Sequence, residues 1–252
     1  MGSGSPWSWN ETLAAFALYC AMPPSDITVN NRQISLLSKA IQRTPKAVCA
    51  KLYNLQNKDP RDLRDGLPNG SHYDRQIWVE YANRREDLLA EAVQQFKLFV
   101  GDISLLDIAD NAQSESHAVF GESISSAVHG INRQFFRNSL LDNYDEACCL
   151  TGLNTKSLLV ATHIKPWSDS NQEEKVAPDN GLLLNSLHSK AFQQGLISIS
   201  KDLTILVSSS LPKEGAYSDY LWRYEGQRIR QPKRFAPRRD YIDYHNDIVF
   251  QR

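Results

Sequence analysis

Residues 148–200 read CCLTGLNTKSLLVATHIKPWSDSNQEEKVAPDNGLLLNSLHSKAFQQGLISIS, and this stretch holds the chain's densest set of reactive groups. His163 ends an apolar run, and the alternation of side chains in a strand would lock one face of that run into a core. Asn180 follows a polar loop and precedes a glycine, which is a natural place for a tight turn. The spacing of Ser186–Gln194 predicts a short helix that carries His188 and ends before a glycine. The stretch therefore predicts a strand, a turn and a helix in that order.

This order of parts suits the hydrolysis of a phosphodiester. The reaction needs an attacking water, a group that takes the proton of that water, and positive charge near the phosphate. A neutral histidine is a suitable base, and such a base typically raises the rate about 10²–10⁴-fold. The side-chain amide of Asn180 is placed to fix the backbone around His163 or to bind an ion. The simpler alternative is an ordinary core histidine, which is the more frequent case for a single histidine in an apolar run.

The stretch resembles the HNH endonuclease family, whose core is a β-hairpin and a helix around one metal ion, the ββα-metal fold. The residues that match the family's pattern are Cys148, Thr151, Gly152, Ala161, His163, Ile164, Lys165, Pro166, Trp167, Asn180, Gly181, Leu182, His188, Lys190, Ala191, Phe192, Gly195, Leu196 and Ile197. With further matches on both sides, the resemblance covers roughly residues 128–248. It implies that His163 is the general base, that Asn180 orients the site, and that His188 lies at the metal.

Two positions of the helix depart from the family's pattern. Gln193 stands where the family usually has Asp, and Ser189 stands where it often has Asp. Both lie on the helix face that the resemblance assigns to metal binding, so the expected ligands are His188, Ser189 and Gln193. The expected cofactor is one divalent ion, Mg²⁺ or Mn²⁺, with Zn²⁺ or Ni²⁺ as alternatives, although Mg²⁺ and Mn²⁺ prefer carboxylate oxygens. Three explanations stay open: His188, Gln193 and water hold the metal, the site has weakened by drift, or Gln193 is a deliberate change that disables cutting.

Length and composition suit a soluble protein of about two domains. The chain has 252 residues, of which 41% are hydrophobic and 23% charged. A net charge of −1 argues mildly against a large non-specific contact with nucleic acid. The four cysteines include no C-x-x-C pair, which argues against a structural zinc site. No apolar run approaches the ~20 residues of a membrane span, so we expect a cytoplasmic protein with reduced thiols and no membrane partner.

Residues 7–58 have the spacing of three short helices, which begin near Trp9, Asn31 and Pro45. Thr44, followed by a proline, marks the start of the third helix. Three helices with a polar third one form the helix-turn-helix arrangement, whose last helix can enter the major groove of DNA. The pattern is similar to Myb-like modules, which implies that this unit binds DNA. An ordinary helical bundle or a dimerisation unit is the alternative.

The sequence as a whole predicts an α+β fold with two domains. A helical DNA-binding domain spans 7–100, a linker spans 101–128, and the HNH domain spans 129–252. One long helix is expected over 76–99. The basic tail 223–239 is expected to contact phosphates, with a solvated loop as the alternative. The residues expected to contact DNA lie in or just before the third helix, beside the strand histidine, and in the tail. They are Arg43, Lys46, Lys51, Asn54, Lys58, Lys165, Arg228 and Arg230.

The function that these observations favour is a DNA endonuclease of the HNH type, in a restriction or defence role, acting on double-stranded DNA. A site with one metal ion cuts one strand at a time, so cutting of both strands predicts a homodimer. The second hypothesis is a DNA-binding protein whose nuclease core no longer cuts. It is suggested by Ser189 and Gln193, which stand where the family often has Asp. The third is a nuclease that acts on RNA, against which the lack of an aromatic stacking platform argues. His245 matches the family's tail, but its spacing suggests no chemical role.

Overall fold

The computed structural model describes residues 5–59, 70–101, 105 and 123–252. The chain divides into two compact units, Met1–Phe135 and Phe136–Arg252. The described part of the first unit is helical, and the strands belong to the second unit. The expected α+β class is therefore confirmed. No helix in the described ranges is both long and apolar enough to cross a membrane.

Of the first five described helices, four begin after a residue that caps them, and the fifth, which follows Arg84, does not. The five helices are α1 (Trp9–Ala21), α2 (Arg32–Ala40), α3 (Pro45–Lys58), α4 (His72–Asn83) and α5 (Arg85–Val100). Ser8 caps α1 through a reciprocal pair of hydrogen bonds with Glu11, and Thr44 caps α3. Such caps satisfy N–H groups that have no partner inside the helix. The three helices expected within residues 7–58 are confirmed, while the binding of DNA by this unit stays a prediction.

The single long helix expected over residues 76–99 is wrong, because the chain forms two helices there. Arg84 has backbone angles of φ −145° and ψ 55°, which lie outside the helical region and separate α4 from α5. Its guanidinium group binds Glu80 in α4 and Glu91 in α5. Apolar residues recur at helical spacing on both sides of the break, so the hydrophobic period alone does not indicate it.

Helix α6 (Ile124–Asn143) begins inside the segment 101–128 that the sequence predicts to be a linker. Most of the expected linker, 101–128, falls outside the described residues, but its last part is helical and the prediction is corrected there. Ala127 and Val128 are buried and begin the apolar face of the helix. Two serines precede these residues and a histidine and a glycine follow, which makes the stretch resemble a loop in sequence.

The second unit contains the hairpin and helix that the sequence predicts. Strands β1 (Leu159–His163) and β2 (Gly181–Asn185) pair antiparallel, with His163 opposite Gly181, and α7 (Ser186–Gln193) follows at once. The remaining elements are β3 (Ile197–Ile199), β4 (Ile205–Val207), α8 (Ala216–Tyr220) and α9 (Arg239–Tyr244). Strands β3 and β4 form a second antiparallel hairpin.

A glycine lets α6 approach the first hairpin closely. A Cβ atom at Gly181 would lie 2.6 Å from Cζ of Phe136 and 2.7 Å from Cδ1 of Leu140. These distances are too short for any side chain, so α6 packs here only because residue 181 has none. The close approach brings the ring of Phe136 against that of His163.

His245 anchors the C-terminal segment to α7. Its ring is 2% exposed and stacks on Phe192 with centroids 3.9 Å apart, and Nε2 donates a hydrogen bond to the carbonyl of Phe192 at 3.1 Å. Nδ1 lies 2.8 Å from Oγ of Ser198 in β3. Burial lowers the pKa of His245 to about 4. The residue is therefore a neutral, hydrogen-bonded part of the core, an arrangement that the sequence did not suggest.

A buried ion pair joins α3 and α4. Lys51 is 2% exposed, and its Nζ donates to the carboxylate of Asp74 and to the hydroxyl of Ser71 at 3.1 Å. Burial lowers the pKa of Lys51, and the hydrogen bond with Asp74 offsets part of that effect. Lys51 cannot reach a phosphate without breaking this pair, which corrects the expectation that it contacts DNA.

Lys51→Met is expected to lower the free energy of unfolding by about 3–5 kcal/mol, because it leaves the carboxylate of Asp74 buried without its cation. Lys46→Met, at an exposed lysine of the same helix, is the matched control and should change the free energy by less than about 0.5 kcal/mol. Urea unfolding followed by tryptophan fluorescence measures both values. Equal losses in the two variants would contradict the importance of the buried pair.

The free energy of unfolding is expected to fall by up to about 3 kcal/mol as the pH drops from 6.5 to about 4. In that window the unfolded chain takes up a proton on His245 and the folded protein does not, so the contribution is complete only above pH 6.5. His188, whose pKa burial also lowers, adds to the same slope.

His245→Gln should flatten this pH dependence, while His72→Gln, at an exposed histidine, should keep that of the parent. Urea unfolding over a pH series provides the measurement. A slope that survives unchanged in His245→Gln would show that another group is its source.

Candidate active site

The imidazole of His163 is held between two aromatic side chains at the end of β1. Its ring stacks on Phe136 with centroids 3.8 Å apart and an angle of 13° between the planes. Trp167 meets it edge-on, with centroids 5.4 Å apart. The side chain is half-buried, so the ring is packed and still borders solvent. Aromatic contacts of this kind restrict the orientation of the ring, which a catalytic histidine needs.

A backbone carbonyl group decides which nitrogen of His163 carries the hydrogen. Nε2 lies 2.9 Å from the carbonyl oxygen of Lys175. A carbonyl oxygen only accepts hydrogen bonds, so Nε2 is the protonated nitrogen, and the lone pair of the neutral ring is on Nδ1. A ring in this tautomer accepts a further proton at Nδ1. The geometry therefore suits a general base.

Asn180 fixes the loop that carries this carbonyl group. The residue is fully buried, its Oδ1 accepts from the backbone N–H of Lys165 at 2.9 Å, and its Nδ2 donates to the carbonyl of Glu174 at 3.0 Å. These contacts tie the residues after β1 to the residue before Lys175. Of the two roles that the sequence allows for Asn180, they favour positioning of the backbone over binding of an ion, because both ends of the amide are used.

His188 contacts a different part of the domain. Its Nε2 donates to the carbonyl of Tyr220 at 2.9 Å, and the ring of Tyr224 meets it edge-on at 5.1 Å. Nδ1 lies 3.0 Å from Oδ1 of Asn185. Burial lowers the pKa of His188, which favours the neutral ring. These contacts give His188 a structural role and do not bring it together with the aromatic residues around His163.

Ser189 and Gln193 meet Thr162, a residue with no signal of its own in the sequence pattern. Oγ of Ser189 accepts from Oγ1 of Thr162 at 2.8 Å and lies 3.4 Å from Nε2 of Gln193. We call Thr162, Ser189 and Gln193 the neutral cluster. Thr162 directly precedes His163 in β1. The contact between strand and helix is made through space, and residue spacing does not predict it.

The neutral cluster does not fit a divalent metal ion. Its donors are two hydroxyls and an amide, and Mg²⁺ and Mn²⁺ bind such groups more weakly than carboxylates. Within the described residues, no group of three or more His, Cys, Asp or Glu side chains is placed to hold a metal. Metal binding by His188, Ser189 and Gln193 stays a prediction, and the chemistry of these donors does not favour it. His188 is bound to other partners, and the other two residues carry no charge.

Lys165 and Lys175 lie on the segments next to His163, the side chain of Arg137 lies at the start of β1, and the three side chains differ in how they are paired. Nζ of Lys165 forms an ion pair with Glu174 at 2.7 Å. Arg137 donates to two backbone carbonyl groups, at 2.6 and 3.0 Å. Lys175 forms no ion pair with an acidic side chain that the structure describes, and its Nζ lies 5.4 Å from the ring centre of Trp167. Nothing in the spacing of the loop marks Lys175, so the sequence does not predict its place beside the base.

The other residues expected to contact DNA fall into two groups: side chains that are hydrogen-bonded within the protein, and side chains that are exposed or half-buried. Arg43 pairs with Glu11 at 2.9 Å and donates to two backbone carbonyl groups, so it is engaged within the helical unit, as Lys51 is. Arg230 is exposed and lies 3.6 Å from Asp145. The exposed or half-buried members of the set are Lys46, Asn54, Lys58, Arg228 and Arg230.

Comparison with known protein families agrees with this geometry. Residues 148–200 match the family described as HNH endonuclease, and the match includes β1, β2 and α7 with His163 and Asn180. A search of curated proteins finds no match. Residues 148–200 are thus similar to the HNH endonuclease family, and the similarity takes in the whole hairpin and the helix that follows it.

Proposed function

We propose that the HNH domain hydrolyses phosphodiester bonds in double-stranded DNA, with His163 as the general base. The observation that supports this is the hydrogen bond from Nε2 to the carbonyl of Lys175, which leaves the lone pair on Nδ1. In the step, Nδ1 takes a proton from a water molecule while the oxygen of that water bonds to phosphorus. The bond from phosphorus to one ester oxygen breaks, and that oxygen takes a proton from solvent as it leaves.

The charge of this site differs from that of a metal centre. HNH domains generally use a divalent metal ion, which when bound supplies positive charge to the phosphate and the leaving oxygen. The neutral cluster does not provide donors that fit such an ion. We therefore propose hydrolysis that does not depend on a divalent metal, with the base held by Asn180 and the loop it fixes.

The helical unit would hold the duplex. Lys46, Asn54 and Lys58 lie on α3 and are at least partly exposed. Lysine binds phosphates without regard to sequence, and asparagine can read the edge of adenine. Each active site would cut one strand. An enzyme that cuts both strands of a duplex would therefore act as a homodimer. A restriction or defence role is the one we propose for such an enzyme.

A DNA-binding protein that does not cut is the second candidate. The neutral cluster favours it, because Ser189 and Gln193 stand where carboxylates would hold the metal of an active site. The hairpin and helix would then keep their shape and their contact with the backbone of DNA. Loss of the metal would have removed the reaction and left the binding.

Cleavage of supercoiled plasmid DNA separates the two candidates. The parent protein is expected to nick the plasmid at similar rates in EDTA and in Mg²⁺, and His163→Ala to lower that rate about 10²–10⁴-fold. His72→Ala, at an exposed histidine outside the HNH domain, is the matched control and should leave the rate unchanged. Time courses on agarose gels provide the rates.

Ser189→Asp combined with Gln193→Asp provides the converse test. An inactive parent beside a double variant that cuts in Mg²⁺ would establish the second candidate. Equal cleavage by the parent and by His163→Ala would contradict the role of His163. A parent that neither binds nor cuts DNA would contradict both candidates.

A further inference from the structure

The proposed reaction needs positive charge beside His163, and we infer that Lys175 supplies it by binding the phosphate. The inference rests on the proposed function, because it concerns the same phosphodiester. The oxygens of the phosphate gain negative charge as water attacks, and fixed positive groups aimed at them stabilise the transition state. The neutral cluster carries no charge to offset this. The cation must therefore come from another residue of the site.

Lys175 contacts His163 through its backbone, and its side chain lies against a ring that His163 also contacts. Its carbonyl oxygen accepts the hydrogen bond from Nε2 of His163 at 2.9 Å. Its Nζ lies 5.4 Å from the ring centre of Trp167, and the same ring meets His163 edge-on, also at 5.4 Å between centroids. The ammonium group and the imidazole thus share one aromatic neighbour. The flexible four-carbon stem of lysine lets Nζ turn from that ring to a phosphate beside the base.

The backbone of Lys175 is fixed, whereas its charged end is held loosely. Its N–H donates to the carbonyl of Asn171 at 3.0 Å, and the carbonyl of the preceding residue, Glu174, accepts from Asn180. The ammonium group is attracted by the face of Trp167. A cation–π contact of this kind is weaker than a charge-assisted hydrogen bond to phosphate. A phosphodiester can therefore displace the ring and bind the ammonium group.

Lys165 and Arg137 suit this role less well. Lys165 is paired with Glu174 at 2.7 Å, so a phosphate would have to displace a carboxylate. Arg137 donates hydrogen bonds to two backbone carbonyl groups. Burial lowers the pKa of its guanidinium group. Lys175 has neither constraint within the part of the chain that the structure describes. Lys175 is therefore favoured by its positive charge, by its contact with Trp167 beside His163, and by an ammonium group that has no carboxylate partner among the described residues.

Lys175→Met is the decisive variant, because it removes the charge and keeps an apolar stem on Trp167. Binding of a fluorescent DNA duplex in EDTA is measured by anisotropy at several salt concentrations. The slope of log K against log of the salt concentration reports the number of phosphate contacts and should become shallower by about 0.9 in the variant. Between about 50 and 200 mM salt, the variant should therefore lose about threefold less affinity than the parent. Lys175→Arg should restore the slope.

Lys213→Met is the matched control. Its Nζ lies 4.8 Å from the ring centre of Trp222, so it makes the same kind of contact on the same unit without touching His163. It should leave the slope unchanged. Thermal melting checks that each variant is folded, and Lys175→Gln takes the place of Lys175→Met if the latter is not.

The outcomes of this experiment distinguish the inference from the proposed function. A parent that binds DNA and a Lys175 variant with an unchanged slope would overturn the inference alone. An equal change of slope in Lys213→Met would overturn the inference as well, because the effect on DNA binding would then not be specific to Lys175. A parent that does not bind DNA at all would overturn the proposed function and the inference together. A shallower slope in the Lys175 variant with slow cleavage supports both.

Discussion

One hydrogen bond, from Nε2 of His163 to the carbonyl of Lys175, sets the tautomer of the histidine on which the proposed reaction depends. It places the lone pair of the ring on Nδ1, and only that tautomer offers a base at this nitrogen. The bond in turn needs a loop whose backbone does not move. Asn180 holds that loop from within, and Gly181 lets Phe136 pack against the ring from the other side. The state of the base therefore depends on packing that lies outside the reacting atoms.

The neutral cluster is a complete arrangement of its own and does not resemble a metal site that lacks its ion. Thr162 donates to Ser189, Gln193 lies beside them, and the two hydroxyls are buried with a partner each. Two carboxylates at the helix positions would repel each other in the same place unless a cation lay between them. Neutral side chains that bind each other remove that repulsion and the need for the cation. Neutral residues at positions 189 and 193 would thus both stabilise the packing of α7 on β1 and bind a metal ion poorly.

The local parts of this structure could be predicted from the sequence, and the contacts between distant residues could not. Caps, prolines and apolar spacing predicted α1, α3 and the hairpin with its following helix, because these signals act within a few residues. The break at Arg84 was missed because the apolar spacing continues through it. Burial of Lys51 was missed because a charged residue on a helix is usually exposed.

The candidate site shows the same division. His163 and Asn180 were predicted from their order along the chain. Thr162 and Lys175 were not, because each acquires its part only through a contact across the fold. His188 was assigned to a metal by resemblance, and its ring is bound to the carbonyl of Tyr220 instead. Position within a motif predicts where a residue lies, whereas its hydrogen-bond partners decide what it can do.

A lysine and a metal ion can both attract a phosphate, but they differ in what else they do. A divalent ion carries two charges and lowers the pKa of the water bound to it, whereas an ammonium group carries one charge and leaves the water unchanged. With Lys175 as the cation, the whole activation of water falls on His163, and a general base contributes about 10²–10⁴-fold. An HNH domain of this kind would bind the DNA backbone well and hydrolyse it slowly. The helical unit and the exposed arginines near the C-terminus would then decide where on DNA it stays long enough to react.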